Sequence, residues 1–223
     1  MKQTLTTLLA FAAALCALLT SATAAHAQDA ARGAEKANMC IGCHGIPGYK
    51  ASFPVVYRVP VLSGQNVDYI IAALNEYKKG ARDFPTMRAI AASLSDTDMA
   101  DLAAFYNQQV PSSAKPAPAV PPAPNETVAA LLTKGACASC HGANFSKPIT
   151  PAYPKLAGQH NDYLAMALRS YATVGNPNLG RSNAIMGAQV KQFKPDELKA
   201  IADYLGSLPT ELHEVSQSYF VSH

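Results

Sequence analysis

Two copies of one five-residue motif constrain this chain more than any other feature. Cys40-Ile41-Gly42-Cys43-His44 and Cys137-Ala138-Ser139-Cys140-His141 both read CxxCH, stand 97 residues apart, and both run on into glycine, at Gly45 and Gly142. The repetition extends beyond the cysteines. Leu62-Ser63-Gly64-Gln65 recurs as Leu156-Ala157-Gly158-Gln159 at an offset of 94. At the same offset Tyr69, Ile70, Ala73, Leu74 and Tyr77 match Tyr163, Leu164, Ala167, Leu168 and Tyr171. At an offset of 99, Arg82, Met87, Leu102, Phe105 and Tyr106 match Arg181, Met186, Ile201, Tyr204 and Leu205. The changing offset places small insertions in loops, so the chain reads as one duplicated domain and not a many-unit solenoid.

The fifth cysteine, Cys16, falls in an N-terminal segment with the character of a secretory signal. Lys2 is the only charge before Asp29, and the apolar run from Leu8 to Leu19 has 12 residues, short of the roughly 20 that span a bilayer. Ala25-His26-Ala27 fits a small-x-small cleavage site. Removal of 1–27 leaves 196 residues, four cysteines and a formal charge of +2. The mature chain is therefore expected in an oxidising compartment, where unclaimed cysteines pair as disulfides. Neither a net charge of +3 in the full chain nor any block of like charge supports nucleic-acid binding.

The repeat defines an organisation. The first domain is expected over 28–110 and the second over 125–211, with a tail over 212–223 that has no counterpart in the first copy. Between the domains, six of the 14 residues from Pro111 to Pro124 are proline, the composition of a semi-rigid extended spacer or of a loop packed on the surface. Each domain reads as about three main helices, giving an all-α fold. In the first domain they cover about 29–38, 67–79 and 95–109. Asn66 and Gly80 punctuate the second, and Ser95 with Asp98 forms a near-capping box for the third. In the second domain Pro195, Asp196 and Glu197 mark the start of the last helix. Phe53 to Leu62 has strand-like composition, but Pro54 and Pro60 demote it to an extended loop.

CxxCH is the attachment signature of c-type haem. Two thiols three positions apart reach the two vinyl groups of one porphyrin as thioethers, and the adjacent histidine supplies an axial imidazole. A single four-cysteine zinc site is the rival reading. The long separation of the pairs, the doubled histidine and the secretory signal count against it. The cofactor expectation is therefore two covalent haem c groups on Cys40, Cys43, Cys137 and Cys140, with His44 and His141 on the irons. Met39, Met87, Met99, Met166 and Met186 are the candidate sixth ligands. Only Met87 and Met186 repeat, 43 and 45 residues after their histidines, each in a loop-like stretch before the last helix. Met99 matches Leu198 and reads as packing. His160, His213 and His223 are unmatched and read as surface residues. Arg82 and Arg181 could pair with haem propionates or stand solvated. Gln65 and Gln159 could line a haem edge or serve a loop.

CxxCH, then Leu-x-Gly-Gln, then a methionine before a terminal helix resembles a class I c-type cytochrome. Two such domains in tandem resemble the dihaem cytochrome c4 family over nearly all of the chain outside the linker, the tail and the signal. The resemblance implies His44/Met87 and His141/Met186 ligation and periplasmic electron transfer between redox proteins, often towards a terminal oxidase. With both axial positions filled there is no free place for oxygen, peroxide or substrate, so the paired methionines count against a haem enzyme such as a peroxidase. No enzyme activity of the chain's own is expected, and the resemblance leaves peripheral contact with a membrane open. The alternative it allows is a dihaem subunit of a dehydrogenase, such as a flavocytochrome c that oxidises sulfide. Gly33 and Ala130 match the small residue where the first helix crosses the last, against Phe105 and Tyr204. In the family a proline carbonyl receives the proximal histidine proton. Tyr57, standing where the second copy has Pro151, leaves that partner of His44 open, with Pro54 or another carbonyl as candidates.

Overall fold

The computed structural model describes residues 28–216. The expected signal segment, residues 217–223 of the tail and His223 with them lie outside the described residues. The first half runs α1 (Ala30–Lys36), α2 (Asn38–His44), β1 (Lys50–Ala51), β2 (Tyr57–Arg58), α3 (Val67–Lys79), β3 (Arg82–Asp83), α4 (Pro85–Ala92) and α5 (Asp96–Gln108). The second runs α6 (Glu126–Lys134), α7 (Ala138–His141), α8 (Asn161–Ala172), β4 (Gly180–Arg181), α9 (Ala184–Val190) and α10 (Pro195–Ser207). Each half is helical, as expected, with two-residue ladders as its only strands among the described residues. No helix among those residues is long and apolar enough to cross a membrane.

The long helices begin and end where the chemistry of the chain dictates. Gly80, at φ +74°, turns α3 off in the left-handed region, and its N–H closes on the carbonyls of Glu76 and Tyr77. At the start of α5 the Ser95 hydroxyl accepts from the Asp98 N–H at 3.1 Å, while the Asp98 carboxylate accepts from the Ser95 N–H at 2.9 Å. At α10 the Lys194 N–H donates to Glu197 at 2.7 Å. Three expectations are corrected. The first helix is two: Ala37 closes α1 with a turn to Ala34, and the chain resumes as α2 through the first CxxCH. Met87 and Met186 sit on the helices α4 and α9, not in loops. Finally, the loop before Leu62 contains the short hairpin β1–β2, pairing Lys50 with Arg58 and Ala51 with Tyr57.

In the first half α1 crosses α5, and α3 packs on α4 and α5; in the second α10 packs on α6 and α8. The α1–α5 crossing depends on Gly33, where a Cβ would stand 2.1 Å from the Asp101 carbonyl oxygen and 2.8 Å from the Phe105 Cβ. One core holds Ala37, Ile41, Leu94, Met99 and Leu102; another holds Leu131, Phe145, Leu164, Ile201 and Leu205. Met99 packs there as expected.

The two halves meet face to face about the repeat's own symmetry. Arg82 and Asp83 pair antiparallel with Arg181 and Gly180. Tyr57 packs against Tyr163 and Met166, its ring 6.2 Å from that of Tyr163. The proline-rich segment lies on the second half, where Pro118 accepts from Asn144 at 3.0 Å and Pro122 from the Tyr204 hydroxyl at 2.8 Å. The tail returns to the first half. His213 N–H donates to Ser63 at 3.0 Å, Leu212 is buried, and Glu214 accepts from the Gly48 N–H at 2.9 Å. His160, expected at the surface, has a side chain only 9% exposed and lies 3.1 Å from Glu214.

Candidate haem sites

A cavity of about 310 Å³ opens in the first half, within the range of small-molecule sites. Cys40, Cys43, His44 and Met87 all line it. Helix α2 delivers the thiols and the imidazole, and α4 delivers the thioether. Apolar side chains close the walls, among them Ile70, Leu74, Leu94 and Leu102. Met39 and Phe53, 56% and 60% exposed, stand at its rim. The second half contributes Pro154, Leu156, Tyr163 and Leu164 to the same wall. In the second half α7 carries Cys140 and His141 with Cys137 just before it, and α9 carries Met186 half-buried in its first turn. None of the four described cysteines is paired in a disulfide.

The histidines are oriented alike. His44 Nδ1 lies 2.9 Å from the Pro60 carbonyl oxygen, and His141 Nδ1 lies 3.3 Å from that of Pro154. A carbonyl only accepts, so Nδ1 carries the proton in each ring and Nε2 is left with its lone pair. Burial pushes both imidazoles below their ordinary pKa, against the opposing pull of the carbonyl. Neutral imidazole is the form that ligates a metal. Pro60 and Pro154 are themselves repeat partners at the offset of 94. The partner of His44 left open by Tyr57 is therefore Pro60, and Tyr57 itself is buried in the contact between halves.

The repeated arginines are not solvated. Arg82 and Arg181 are 4% and 8% exposed and lie opposite one another in the β3–β4 pairing. Arg82 pairs with Glu76 and lies over the rings of Tyr69 and Tyr77. Arg181 donates to the Tyr163 hydroxyl at 3.0 Å and lies over Tyr163 and Tyr171. Position 170, which corresponds to Glu76 in the repeat, is Ser170, and its hydroxyl turns back to the Met166 carbonyl at 2.8 Å. Arg181 thus has no carboxylate partner among the described residues. Arg82 lines the cavity that holds the first CxxCH and Met87, and with Arg181 opposite it the two buried guanidiniums carry more positive charge than Glu76 balances, which fits the anionic propionates of a bound haem.

Gln65 and Gln159, 2% and 4% exposed, do more than line an edge. Each crosses to the other half and bonds both backbone groups of one residue there, Gln65 those of Lys155 and Gln159 those of Val61. Their repetition in the sequence flagged them, but nothing local indicated where they would reach.

Folded helices around paired CxxCH sites define a c-type cytochrome, and the comparisons with known proteins place it further. The Cytochrome c family model matches residues 126–209. Over 198 residues the chain is 32% identical to cytochrome c4 of Azotobacter vinelandii, covering 82% of this chain and 91% of that protein. It is 30% identical over 184 residues to the thiosulfate dehydrogenase electron acceptor of Stutzerimonas stutzeri, covering 79% of this chain and 82% of that one. The solved cytochrome c4 structure from Acidithiobacillus ferrooxidans superposes with a TM-score of 0.58 at 28% identity, covering 77% of this chain and 99% of that chain. The chain belongs to the cytochrome c4 family: it is an electron-transfer cytochrome built as two class I domains, with two covalent haem c groups.

Proposed function

We propose that the chain is a periplasmic two-centre carrier that takes electrons from one redox protein and delivers them to another, in the direction of a terminal oxidase. The domains are 28–110 and 125–211, joined by 111–124 and followed by the tail 212–223. Cys40 with Cys43, and Cys137 with Cys140, hold the two haems as thioethers. His44 with Met87, and His141 with Met186, are the axial pairs. Bound haem supplies a one-electron iron couple whose potential a methionine ligand raises. The convergence of Cys40, Cys43, His44 and Met87 on one apolar cavity carries this reading.

The chain's own residues do the rest. Pro60 and Pro154 hold the proton of each imidazole on Nδ1, which leaves the Nε2 lone pair to ligate an iron when haem is bound. Imidazole and thioether together leave no place for substrate, so the chain has no turnover of its own. Met39 and Phe53 give the first site an apolar rim at which a partner can approach. Residues of the second half in that wall bring the two sites together, which suits transfer between them.

A second reading, a subunit serving one particular dehydrogenase, is favoured by the likeness to a thiosulfate dehydrogenase electron acceptor. The sulfide-oxidising flavocytochrome is the other form of that reading. A redox titration of the purified holoprotein, followed by absorbance with haem staining, tests the proposal. Two low-spin haems that each take one electron support it, and a colourless zinc protein overturns it. Stable co-purification with a dehydrogenase chain selects the second reading, and turnover of peroxide overturns the absence of enzyme activity.

A further inference from the structure

The two halves exchange one contact reciprocally. The amide oxygen of Gln159 accepts from the Val61 N–H at 2.9 Å, and its Nε2 donates to the Val61 carbonyl at 2.9 Å. In the other direction Gln65 accepts from the Lys155 N–H at 2.9 Å and donates to the Lys155 carbonyl at 3.0 Å. Each amide oxygen also accepts from the next N–H in its own chain segment, His160 at 3.0 Å and Asn66 at 2.9 Å. Backbone N–H only donates and C=O only accepts, so these partners fix which way each amide points.

The residues held are not arbitrary. Val61 N–H and Pro60 C=O are the two ends of one peptide group, as are Lys155 N–H and Pro154 C=O. A peptide group is planar, so fixing its N–H fixes the direction of its carbonyl. Those two carbonyls are the acceptors of His44 and His141. A line of contact therefore runs from Gln159 through the Pro60–Val61 peptide to His44, and from Gln65 through the Pro154–Lys155 peptide to His141.

We infer that Gln65 and Gln159 are crossed positioning residues: each sets the proximal hydrogen bond, and so the donor strength of the axial imidazole, at the haem of the opposite half. The inference rests on His44 and His141 being the axial ligands. A well-aimed carbonyl draws the Nδ1 proton and makes the imidazole a stronger donor, which favours oxidised iron. A loosened carbonyl does the reverse and raises the potential. Separating the halves would alter both imidazoles together.

The experiment compares the unaltered holoprotein with Gln159→Met and Gln65→Met, which keep the side-chain length and lose the hydrogen bonds. Gln159→Asn and Gln65→Asn stay polar but withdraw the amide by one methylene, and serve where a methionine variant does not fold. The readouts are the potential of each haem by spectroelectrochemistry and the Nδ1–H resonances of the axial histidines by NMR. Losing Gln159 should raise the potential of the His44 haem and move the His44 resonance, with the His141 haem little changed. Losing Gln65 should do the opposite. A shift confined to the haem of the mutated half, equal shifts at both haems, or no shift at either overturns the inference. If the unaltered holoprotein shows no pair of axial-histidine signatures, the ligand reading fails and this inference falls with it.

Discussion

Arg82 and Arg181 face each other across the β3–β4 pairing, one from each half, although both carry positive charge and both are buried. Stacked tyrosines flank each guanidinium, but only Arg82 has a carboxylate, Glu76. Two buried guanidiniums with one carboxylate between them would be balanced by further anionic groups, such as the propionates of bound haem. Replacement of Arg181 by glutamine removes a buried positive charge from the second half. If the charge stands within roughly 8–16 Å of the iron at an effective dielectric of about 20, its loss costs the reduced state roughly 1–2 kcal/mol. For a one-electron couple the potential falls by roughly 40–90 mV. A redox titration that resolves the two haems checks it: the second should fall more than the first. Equal or no movement would remove Arg181 from the second haem.

The axial assignment makes a separate prediction for Met87. Its replacement by alanine should abolish one of two methionine-to-iron(III) charge-transfer bands and leave the other. The potential of that haem should fall on the order of 0.1 V, within the span of about 0.8 V that axial ligands command. Met186→Ala should do the same at the other haem. Met99→Leu should leave both bands intact, because Met99 is fully buried in the packing of α5.

Much of this architecture was legible in the chain because local chemistry marks it. Asn66 and Gly80 bracket α3 at Val67–Lys79, and Ser95 with Asp98 opens α5. The repeated CxxCH and the repeated methionines pointed to the site. Helices α4 and α9 were hidden because eight and seven residues show only about two turns of periodicity. Phe84 gives α4 no side-chain cap, although Asn183, which accepts from the Met186 N–H at 3.0 Å, was a readable start for α9. Pro60 was overshadowed by the comparison of Tyr57 with Pro151, yet the same offset aligns Pro60 with Pro154. The contacts between halves had no local signal. A glutamine reaching a peptide 98 residues away, or a two-residue ladder joining Arg82 to Arg181, is set by tertiary geometry alone.

Gly33 offers a test of the first half's packing. A methyl group there would stand 2.1 Å from a backbone oxygen of α5, which cannot swing aside as a flexible side chain can. Gly33→Ala should force α1 and α5 apart and lower stability by about 1–3 kcal/mol, the usual range for overpacking. Chemical denaturation of the holoprotein measures this. Gly42→Ala, where a Cβ meets nothing within 4 Å, is the control and should be near neutral.

The same crossing is fastened by a carboxylate whose titration predicts a pH dependence. Asp101 is 1% exposed and accepts from Arg32 Nε at 2.8 Å, Arg32 Nη2 at 2.9 Å and the Asp29 N–H at 2.9 Å. The Arg32 hydrogen bond outweighs burial and holds the Asp101 carboxyl below its ordinary range. Lys36 and the Ser95 cap do the same for Asp98, and Lys199 for Asp203. A group whose pKa is lower in the folded state binds fewer protons there than when unfolded. Its contribution is fully present above the unfolded carboxyl pKa of about 4 and is lost as pH falls through the folded value. The carboxylate contribution should therefore stay constant from neutral pH down to about 5 and be lost progressively in acid, below the range around pH 6.5 in which the buried histidines begin to cost stability. Asp101→Asn should lower stability at neutral pH by about 1–3 kcal/mol, because the donors of Arg32 and Asp29 lose their charged acceptor. The variant should also lose less on acidification than the parent, since one of the responsible carboxyls is gone. Denaturation midpoints of both proteins between pH 7 and pH 3 decide the matter: parallel curves would show that Asp101 takes no part in the acid response.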